Sequence, residues 1–240
     1  MKAIGIGNSN NNGGCAGDTN KGKSPPTRSK LALKGSSKIV SDFFDYSINS
    51  ILYQRGIYPP DDFKMVKKYG LYMLISTDEE VKAYIRRILS QLNKWIYNGK
   101  INKLIVAIID KTNDEPVERW EFDVEIFNNK NLDQEMDEPM PDKEHVNNTN
   151  KSKEEIQQEI QAIIRQITAS ITFLPVLEGP HTFNVLVYAN SNTKNIPSEW
   201  IDSDDKEIKN GGETVGFRSF STSNHKVDTF VTYKINNLID

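Results

Sequence analysis

The chain has 240 residues, 37% of them hydrophobic, and its formal net charge at pH 7 is −3. This length fits one large domain or two small ones. The negative net charge gives no support to a nucleic-acid-binding surface, which needs a basic face. The single cysteine, Cys15, excludes an internal disulfide framework and a cysteine-ligated zinc site. Because the chain has neither a membrane-spanning apolar run nor a signal-peptide pattern, we expect a soluble intracellular protein that does not bind membranes.

The start of the chain, residues 1–32, is rich in Gly, Asn, Ser and Lys and has no hydrophobic periodicity, which predicts a disordered tail. Within it, Met1–Gly7 resembles the first strand and the glycines of a dinucleotide-binding fold. That fingerprint also requires a third glycine at the start of a helix, and the Asn-rich residues 9–14 cannot form one. We therefore predict no nucleotide site and place the ordered domain in residues 33–236.

A first helix is predicted from Ser37 to Gln54, because apolar residues recur at helical spacing along one wide face. Gly56 and the pair Pro59–Pro60 end this helix. The residues predicted for its inner face are Val40, Phe43, Phe44, Ser47, Ile48, Ile51 and Leu52.

A second helix is predicted to begin at Thr77, whose hydroxyl can cap the first turn while Glu80 reaches back to it. Gly99 ends the helix, in the position that glycine usually takes after a helix. Its predicted apolar face consists of Val81, Tyr84, Ile85, Ile88, Leu89, Leu92, Trp95 and Ile96.

The middle of the chain contains two strand patterns. Leu104–Ile109 is a short continuous apolar run, which is typical of a strand covered on both faces. Trp120–Ile126 alternates between apolar and acidic side chains, which predicts a strand with one solvent-exposed face. The acidic, Asn-rich residues 128–153 follow, and we expect a flexible loop there, acting either as a neutral spacer or electrostatically on the choice of partner.

A third helix is predicted from Glu154 to Leu174, where Pro175 stops it. Its outer face carries one arginine, Arg165, among small residues and one aromatic, Phe173. Such depletion of charge is typical of an interface core, but alanines also occur on plain helix faces because they are good helix formers. Periodicity leaves both interpretations open. The stripe predicted to face the sheet is Ile156, Ile160, Ile163, Ile164, Ile167, Ile171 and Leu174.

The last third of the chain has strand patterns at Phe183–Ala189, Thr214–Ser221 and His225–Ile235, and the last two can pair as a hairpin. A long polar stretch precedes that hairpin and contains Trp200. We expect the large apolar ring of Trp200 to be buried, either at a functional contact or in a satellite hydrophobic cluster. Helices and strands that do not alternate strictly predict an α+β domain, with three helices on one face of a mainly antiparallel sheet.

The sequence contains no set of residues at a spacing that predicts catalysis. The three histidines, His145, His181 and His225, lack a second ligand at metal-binding spacing. Asp202–Asp205 imitates the start of a calcium loop but lacks its glycine and terminal glutamate. There is neither a phosphate-binding glycine loop nor a nucleophile elbow. We therefore predict a protein that has no cofactor or metal and is not an enzyme.

Two segments, Ser41–Pro59 and Phe217–Tyr233, resemble the HORMA-domain family, and most closely its spindle-checkpoint branch. The Glu-Arg-Trp strand at residues 118–120 and the Ile-Arg-Gln-Ile-Thr helix at residues 164–168 lie between them, in the order of the family. The resemblance implies a HORMA fold whose C-terminal hairpin is a mobile safety belt. It also implies an open and a closed topology, of which the closed one traps a peptide against a sheet edge.

The resemblance further implies which residues form the sites. The third helix would form the contact of an open–closed conformational dimer, through Arg165, Gln166, Ala169, Thr172 and Phe173. The safety belt and its peptide site would use Trp200, Phe217, Phe220, His225, Lys226, Val227 and Tyr233.

The function implied by the resemblance is to delay anaphase in the spindle assembly checkpoint, in the nucleus, at kinetochores and also in the cytoplasm. The implied ligands carry closure motifs: the checkpoint adaptor mitotic-arrest-deficient one and the activator subunit of the anaphase-promoting complex. Further implied partners are the kinase-related subunit of the checkpoint complex, an AAA+ remodelling ATPase and a second copy of the chain. The alternative is another HORMA adaptor, either a translesion-polymerase regulatory subunit or a meiotic axis protein.

Overall fold

The computed structural model describes residues 2–6, 28–127, 151–189, 196–209 and 211–235. Within these ranges the chain forms three α-helices, ten β-strands and two short 3-10 turns, at Pro60–Asp62 and Ser170–Thr172. The helices are α1 (Arg28–Gln54), α2 (Glu79–Tyr97) and α3 (Lys153–Ala169). The strands are β1 (Lys2–Ile6), β2 (Phe63–Lys68), β3 (Leu71–Ser76), β4 (Ile101–Asp110), β5 (Pro116–Ile126), β6 (His181–Ala189), β7 (Trp200–Asp202), β8 (Glu213–Gly216), β9 (Phe220–Ser221) and β10 (His225–Tyr233).

Eight of these strands form one sheet in the order β7-β1-β6-β4-β5-β10-β8, with β9 also paired to β10. Every neighbouring pair in the sheet is antiparallel. The remaining two strands, β2 and β3, form a separate antiparallel hairpin. The predicted α+β class, the mainly antiparallel sheet and the packing of three helices against it are confirmed.

The helices pack on one face of this sheet. Their apolar side chains share a core with every second residue of β4, such as Leu104 and Val106. The alternate residues Ile105 and Ala107 form a smaller cluster with Leu186 on the opposite face. Strand β4 is thus buried on both faces, as its continuous apolar run predicted. No helix of the described ranges combines the length and apolar character needed to cross a membrane.

Helix α1 begins at Arg28 rather than at Ser37. The residues before Ser37 include Lys, Leu and Ala, which are good helix formers, and Ser36 is buried against the turn before β10. The prediction of a tail up to residue 32 is therefore wrong for residues 28–32. The predicted inner face is confirmed, because the following side chains are buried: Val40, Phe43, Phe44, Ser47, Ile48, Ile51 and Leu52.

Strand β1 contradicts the prediction that the first residues belong to a disordered tail. Ala3 and Ile4 are each only 2% exposed, and β1 pairs with a strand on either side. Five residues are enough for a strand here because the neighbours satisfy its backbone groups on both edges. The rest of the predicted tail, residues 7–27, lies outside the described residues.

Helix α2 is capped by Asp78 rather than by Thr77. The Asp78 carboxylate accepts a hydrogen bond from the Val81 amide at 2.9 Å. A carboxylate also interacts favourably with the helix dipole, which gives Asp78 the advantage over a hydroxyl. The predicted apolar face is buried at Val81, Ile85, Ile88, Leu92, Trp95 and Ile96, and half-buried at Tyr84 and Leu89.

Helix α3 begins with a capping box, in which Ser152 and Glu155 each accept a hydrogen bond from the other's backbone amide. It ends at Ala169 rather than at Leu174, and a 3-10 turn follows. Because that tighter turn departs from the angular steps of an α-helix, Ile171 is 51% exposed, and its predicted place against the sheet is wrong. The rest of the stripe is buried: Ile156, Ile160, Ile163, Ile164, Ile167 and Leu174.

A buried ion pair attaches the end of α1 to the sheet. The Arg55 guanidinium donates to the Glu118 carboxylate at 2.8 Å and also to the backbone carbonyl of Pro175. Trp120 Nε1 donates to the second carboxylate oxygen of Glu118 at 3.2 Å. Burial raises the pKa of Glu118, and Arg55 acts against that rise. Loss of either partner would leave an unpaired charge in the core, which is strongly destabilising.

The hairpin of β2 and β3 was not predicted from the sequence. The chain reverses at Tyr69 and Gly70, with φ angles of 51° and 69°. Positive φ at both central residues is typical of the type I′ turn, which normally has Asn-Gly or Asp-Gly rather than Tyr-Gly. Phe63 and Met73 connect the hairpin to the main core.

Candidate functional site

The two edges of the sheet are joined by the segment from Trp200 to Tyr233, which we call the belt. It begins with β7 at one end of the sheet and finishes with β8, β9 and β10 at the other end. Between these parts lie residues 203–209 and 211–212, which we call the crossing segment. The belt therefore spans the sheet from β1 to β5.

Strand β1 occupies a groove between β6 and the first strand of the belt. Lys2 to Gly5 pair with β6, and Ile4 to Ile6 pair with β7, both in antiparallel orientation. Ile4 belongs to the helix-side core, whereas a Cβ atom added to Gly5 would lie only 3.1 Å from Leu186 Cδ2. The groove thus holds an extended segment by its backbone from both sides, the geometry by which a peptide adds to a sheet edge.

Trp200 attaches the start of the belt to helix α2. Its side chain is 4% exposed, and its ring lies 4.8 Å from the ring of Trp95, measured between centroids. The two rings meet edge-on, an arrangement that favours aromatic pairs. Trp200 is therefore part of the main core and not of a satellite cluster.

The crossing segment lies over the face of the sheet that the helices leave free. The Ser203 amide donates to the Ala3 carbonyl at 3.0 Å, so the segment also contacts β1. Arg119 Nε donates to the Asp205 carbonyl at 3.3 Å, and Arg119 Nη2 donates to the Tyr188 hydroxyl at 3.3 Å. Burial raises the pKa of Tyr188, and its hydrogen bond with Asp205 raises it further. These contacts close the groove around β1.

At the other end of the belt, β10 forms the predicted hairpin with β8 and β9. It pairs with β5 along its whole length, from His225 opposite Ile126 to Tyr233 opposite Glu118. The strand predicted at Thr214–Ser221 is divided into β8 and β9. Because β10 has partners on both sides over most of its length, it is an inner strand of the sheet and not an edge.

Most of the predicted belt residues point into the core. Phe220 is 1% exposed, with its ring 4.8 Å from that of Phe43, and Phe217 is half-buried beside Trp120. Lys226 is different, because it lies on the outer face and forms an ion pair with Asp228 at 2.9 Å. The fully buried or nearly buried members of the set are Trp200, Phe220, His225, Val227 and Tyr233.

His225 fixes the turn of the hairpin to helix α1. It is fully buried, and its Nδ1 atom lies 2.5 Å from the hydroxyl oxygen of Ser36. Ser36 also contacts the Thr222 hydroxyl, and Thr222 accepts a hydrogen bond from the His225 amide at 3.0 Å. Burial lowers the pKa of His225 to about 4, and the nearby backbone of Ile96 offsets this only in part. The ring is therefore neutral at physiological pH.

The outer face of α3 is exposed at Arg165, Ala169, Thr172 and Phe173, to which the family resemblance assigns self-association. Gln166 differs, because its side-chain oxygen accepts a hydrogen bond from the Arg218 amide at 2.8 Å. That contact connects α3 to the loop between β8 and β9.

A cavity of about 330 Å³ lies beside this face of α3. Residues of α1, β3 and α3 line it, among them Tyr53, Leu74 and Arg165. Arginine and apolar side chains are both enriched in interface cores, so this composition is compatible with a contact surface.

Several residues that build the site were not singled out from the sequence. Ile4 was assigned to the tail because polar residues follow it, although the spacing of Ile4 and Ile6 is that of a strand. Arg119 and Tyr188 lie on strands but hold the crossing segment. Ser36 was missed because α1 was predicted to begin after it, and no local signal in the sequence indicates its contact with His225.

A family model described as "HORMA domain" matches residues 36–225. The chain is 52% identical, over 214 residues, to the mitotic spindle checkpoint component mad2 of Schizosaccharomyces pombe, and the match covers 89% of this chain and 98% of the relative.

Two solved structures show the same fold. One is a chain in the crystal structure of the mitotic checkpoint complex, with a TM-score of 0.71 and 51% identity over 84% of this chain and 99% of that one. The other is HTP-2 of C. elegans bound to the HIM-3 closure motif, with a TM-score of 0.64 over 84% of this chain and 91% of that one. At 14% identity the likeness to HTP-2 concerns the fold alone.

Proposed function

Since this chain belongs to the HORMA-domain family, we propose that it is a spindle-checkpoint component that traps closure-motif peptides beneath its belt. A relative with 52% identity over nearly its whole length bears a spindle-checkpoint name, and a solved chain with 51% identity comes from a mitotic checkpoint complex. In this proposal the chain acts by binding and release and not by catalysis, and its action delays anaphase.

The observation that carries the proposal is the groove between β6 and β7. It accepts an extended segment, pairs with both of its edges, and is closed from outside by the crossing segment. A peptide in this groove is part of the sheet, and the belt passes around it before joining β5. Release therefore requires the belt to detach, so that dissociation is slow and depends on a conformational change.

We further propose that the belt has a second arrangement, the open topology, in which its hairpin covers the edge of β6 instead of the edge of β5. In this proposal the arrangement with β10 on β5 is the closed topology, because the hairpin then does not cover β6. Conversion would separate β10 from β5 and expose Phe220 and Val227, which are buried here. The barrier is then a local unfolding of the hairpin.

The proposed ligands of the groove are the closure motifs of the adaptor mitotic-arrest-deficient one and of the activator of the anaphase-promoting complex. The outer face of α3, with Arg165, Ala169, Thr172 and Phe173, is proposed to bind a second copy of the chain in the other topology. The kinase-related checkpoint subunit and an AAA+ remodelling ATPase complete the set of proposed partners. The proposed location is the nucleus, the kinetochore and the cytoplasm.

A fluorescein-labelled synthetic peptide with the closure segment of the checkpoint adaptor tests this function. The full chain is expected to capture the peptide and to release it over hours after dilution into unlabelled peptide. A chain without residues 231–240 lacks the end of β10 and is expected to lose capture, with circular dichroism to confirm that it is folded. Exchange within seconds by the full chain would indicate an ordinary groove and contradict the proposal.

A further inference from the structure

We propose that Lys2–Ile6 is an internal occupant of the peptide groove, which an external closure segment has to displace. The inference rests on the proposed function, because it assigns a specific occupant to the same groove. Strand β1 lies between β6 and the first strand of the belt, and it belongs to the chain itself.

The backbone of β1 is paired with a strand on each of its two edges. Four of its residues pair with β6, from Lys2 opposite Ala189 to Gly5 opposite Leu186. Three pair with β7, from Ile4 opposite Asp202 to Ile6 opposite Trp200. An external peptide would need the same backbone groups of β6 and β7, so it and β1 exclude each other.

The side chains of β1 fit the two faces of the groove in alternation. Ile4 is 2% exposed and joins the core beneath the helices, and Ile6 packs against the same core. Gly5 faces the other way, where a Cβ atom would lie 3.1 Å from Leu186 Cδ2 and 3.8 Å from Ser203 Cβ. The groove therefore favours an aliphatic residue, then a small one, then another aliphatic residue, and Ile4-Gly5-Ile6 meets this pattern.

The crossing segment also contacts β1 directly, through the hydrogen bond from the Ser203 amide to the Ala3 carbonyl. Occupation of the groove by β1 and closure of the belt are thus coupled. The 21 residues from position 7 to position 27 connect β1 to α1. Fully extended they reach about 70 Å, which exceeds the diameter of roughly 40 Å expected for such a domain, so the connection within one chain is long enough.

The first experiment compares the association rate of the fluorescein-labelled closure peptide of the adaptor with three chains: the full chain, a chain without residues 1–6 and a control without residues 8–13. The control keeps β1 and leaves 15 connecting residues, which still reach about 50 Å. We expect association at least ten-fold faster with the chain that lacks residues 1–6, and the rate of the full chain with the control. Equal rates for all three chains, with capture intact, would overturn the internal occupant while leaving the proposed function in place.

Point variants separate occupation of the groove from chain length. Ile4→Asp puts a charge into the core position of β1 and should accelerate association like the deletion does. Val176→Asp, at a side chain that is 78% exposed in the loop before β6, makes a similar apolar-to-acidic change away from the groove. It should leave the rate unchanged, and an equal acceleration by both variants would contradict the proposal.

A second experiment does not depend on the adaptor. A labelled synthetic peptide of residues 1–8 is titrated into the chain that lacks residues 1–6. We expect binding by this peptide, no binding by its Ile4→Asp and Gly5→Val versions, and no binding by the peptide to the full chain, whose groove is filled. If the peptide of residues 1–8 does not bind, the internal occupant is refuted even when the adaptor peptide is captured. If it binds and the adaptor peptide does not, the proposed function fails and the internal occupant stands.

The Arg165→Glu variant, which lacks the proposed α3 contact, should behave as a monomer, because β1 and its groove belong to one molecule. Light scattering of this variant, with and without residues 1–6, over a range of concentrations checks this. Dimers of the Arg165→Glu variant that disappear when residues 1–6 are removed would show that β1 fills the groove of a neighbour, which would contradict the intramolecular arrangement.

Discussion

His225 shows how a single residue can hold the belt in place. Its imidazole is buried beneath the turn of the hairpin and contacts Ser36 of α1, and burial holds its pKa far below the ordinary value of 6.5. The neutral ring fits this position, whereas a protonated ring would bring a charge into a site without a carboxylate partner among its hydrogen bonds. The turn of the hairpin is therefore expected to respond to acid.

Acidification is predicted to destabilise the fold through His225. Its folded-state pKa is about 4 and its ordinary value is 6.5, so its contribution is complete above pH 6.5 and is lost as the pH falls towards 4. Between pH 7 and pH 5 the free energy of unfolding should fall by about 2 kcal/mol from this residue alone. Urea titrations at both pH values measure the fall.

His225→Gln is the matched test of that prediction. This variant is less stable at pH 7, but its loss of stability between pH 7 and pH 5 should be smaller than that of the full chain by about 2 kcal/mol. His181→Gln, at a half-buried ring hydrogen-bonded to the Gly179 carbonyl, serves as the control and should keep the full loss. An unchanged pH dependence in His225→Gln would show that another group is responsible.

At the scale of the elements, the sequence predicted those parts that hydrophobic period and length determine. The inner faces of α1, α2 and most of α3, the doubly buried β4 and the hairpin of β10 were correct for that reason. Strand β1 and the hairpin of β2 and β3 were missed, because short strands owe their stability to neighbours that are distant in sequence. The contact of Arg119 with the crossing segment joins residues 119 and 205, and local sequence does not indicate it.

Arg119 is predicted to control how long a peptide stays in the groove. Its guanidinium holds the Asp205 carbonyl of the crossing segment and the Tyr188 hydroxyl. Arg119→Ala should therefore accelerate release of the labelled adaptor peptide about ten-fold, since a hydrogen bond to a charged group stabilises by roughly 1.5–3 kcal/mol. Lys209→Ala removes a 68% exposed lysine from the same segment and should change the release rate little. Equal release from both variants would mean that the crossing segment is not held by Arg119.

Arg165 on α3 is predicted to serve self-association alone. Arg165→Glu reverses the charge at the rim of the cavity between α1, β3 and α3, so it should abolish dimers while leaving folding and peptide capture intact. Lys153→Glu makes the same change of charge at the start of α3 and is the control. Sedimentation velocity and the capture assay measure the two properties. Loss of folding in Arg165→Glu would mean that the face is structural.

At the scale of the whole molecule, the belt makes the two ends of the sheet depend on each other. One end holds β1 between β6 and β7, and the other holds β10 against β5, while the crossing segment connects them. The segments that carry the family resemblance gave the fold and the general position of this belt. They could not indicate what fills the groove, because β1 lies outside the matched residues 36–225.

The release of a trapped peptide after β10 has been locked to β5 tests the topological trap most directly. Asp123 and Asp228 lie directly opposite each other in the two strands, at a separation that suits a disulfide between cysteines. In a chain with Cys15→Ser, Asp123→Cys and Asp228→Cys, the labelled adaptor peptide is bound under reducing conditions and the bond is then formed by oxidation. We expect the oxidised chain to keep the peptide at least ten times longer than the same chain after reduction. Release at the same rate in both states would show that the peptide leaves while the hairpin stays in place, and would contradict the trap.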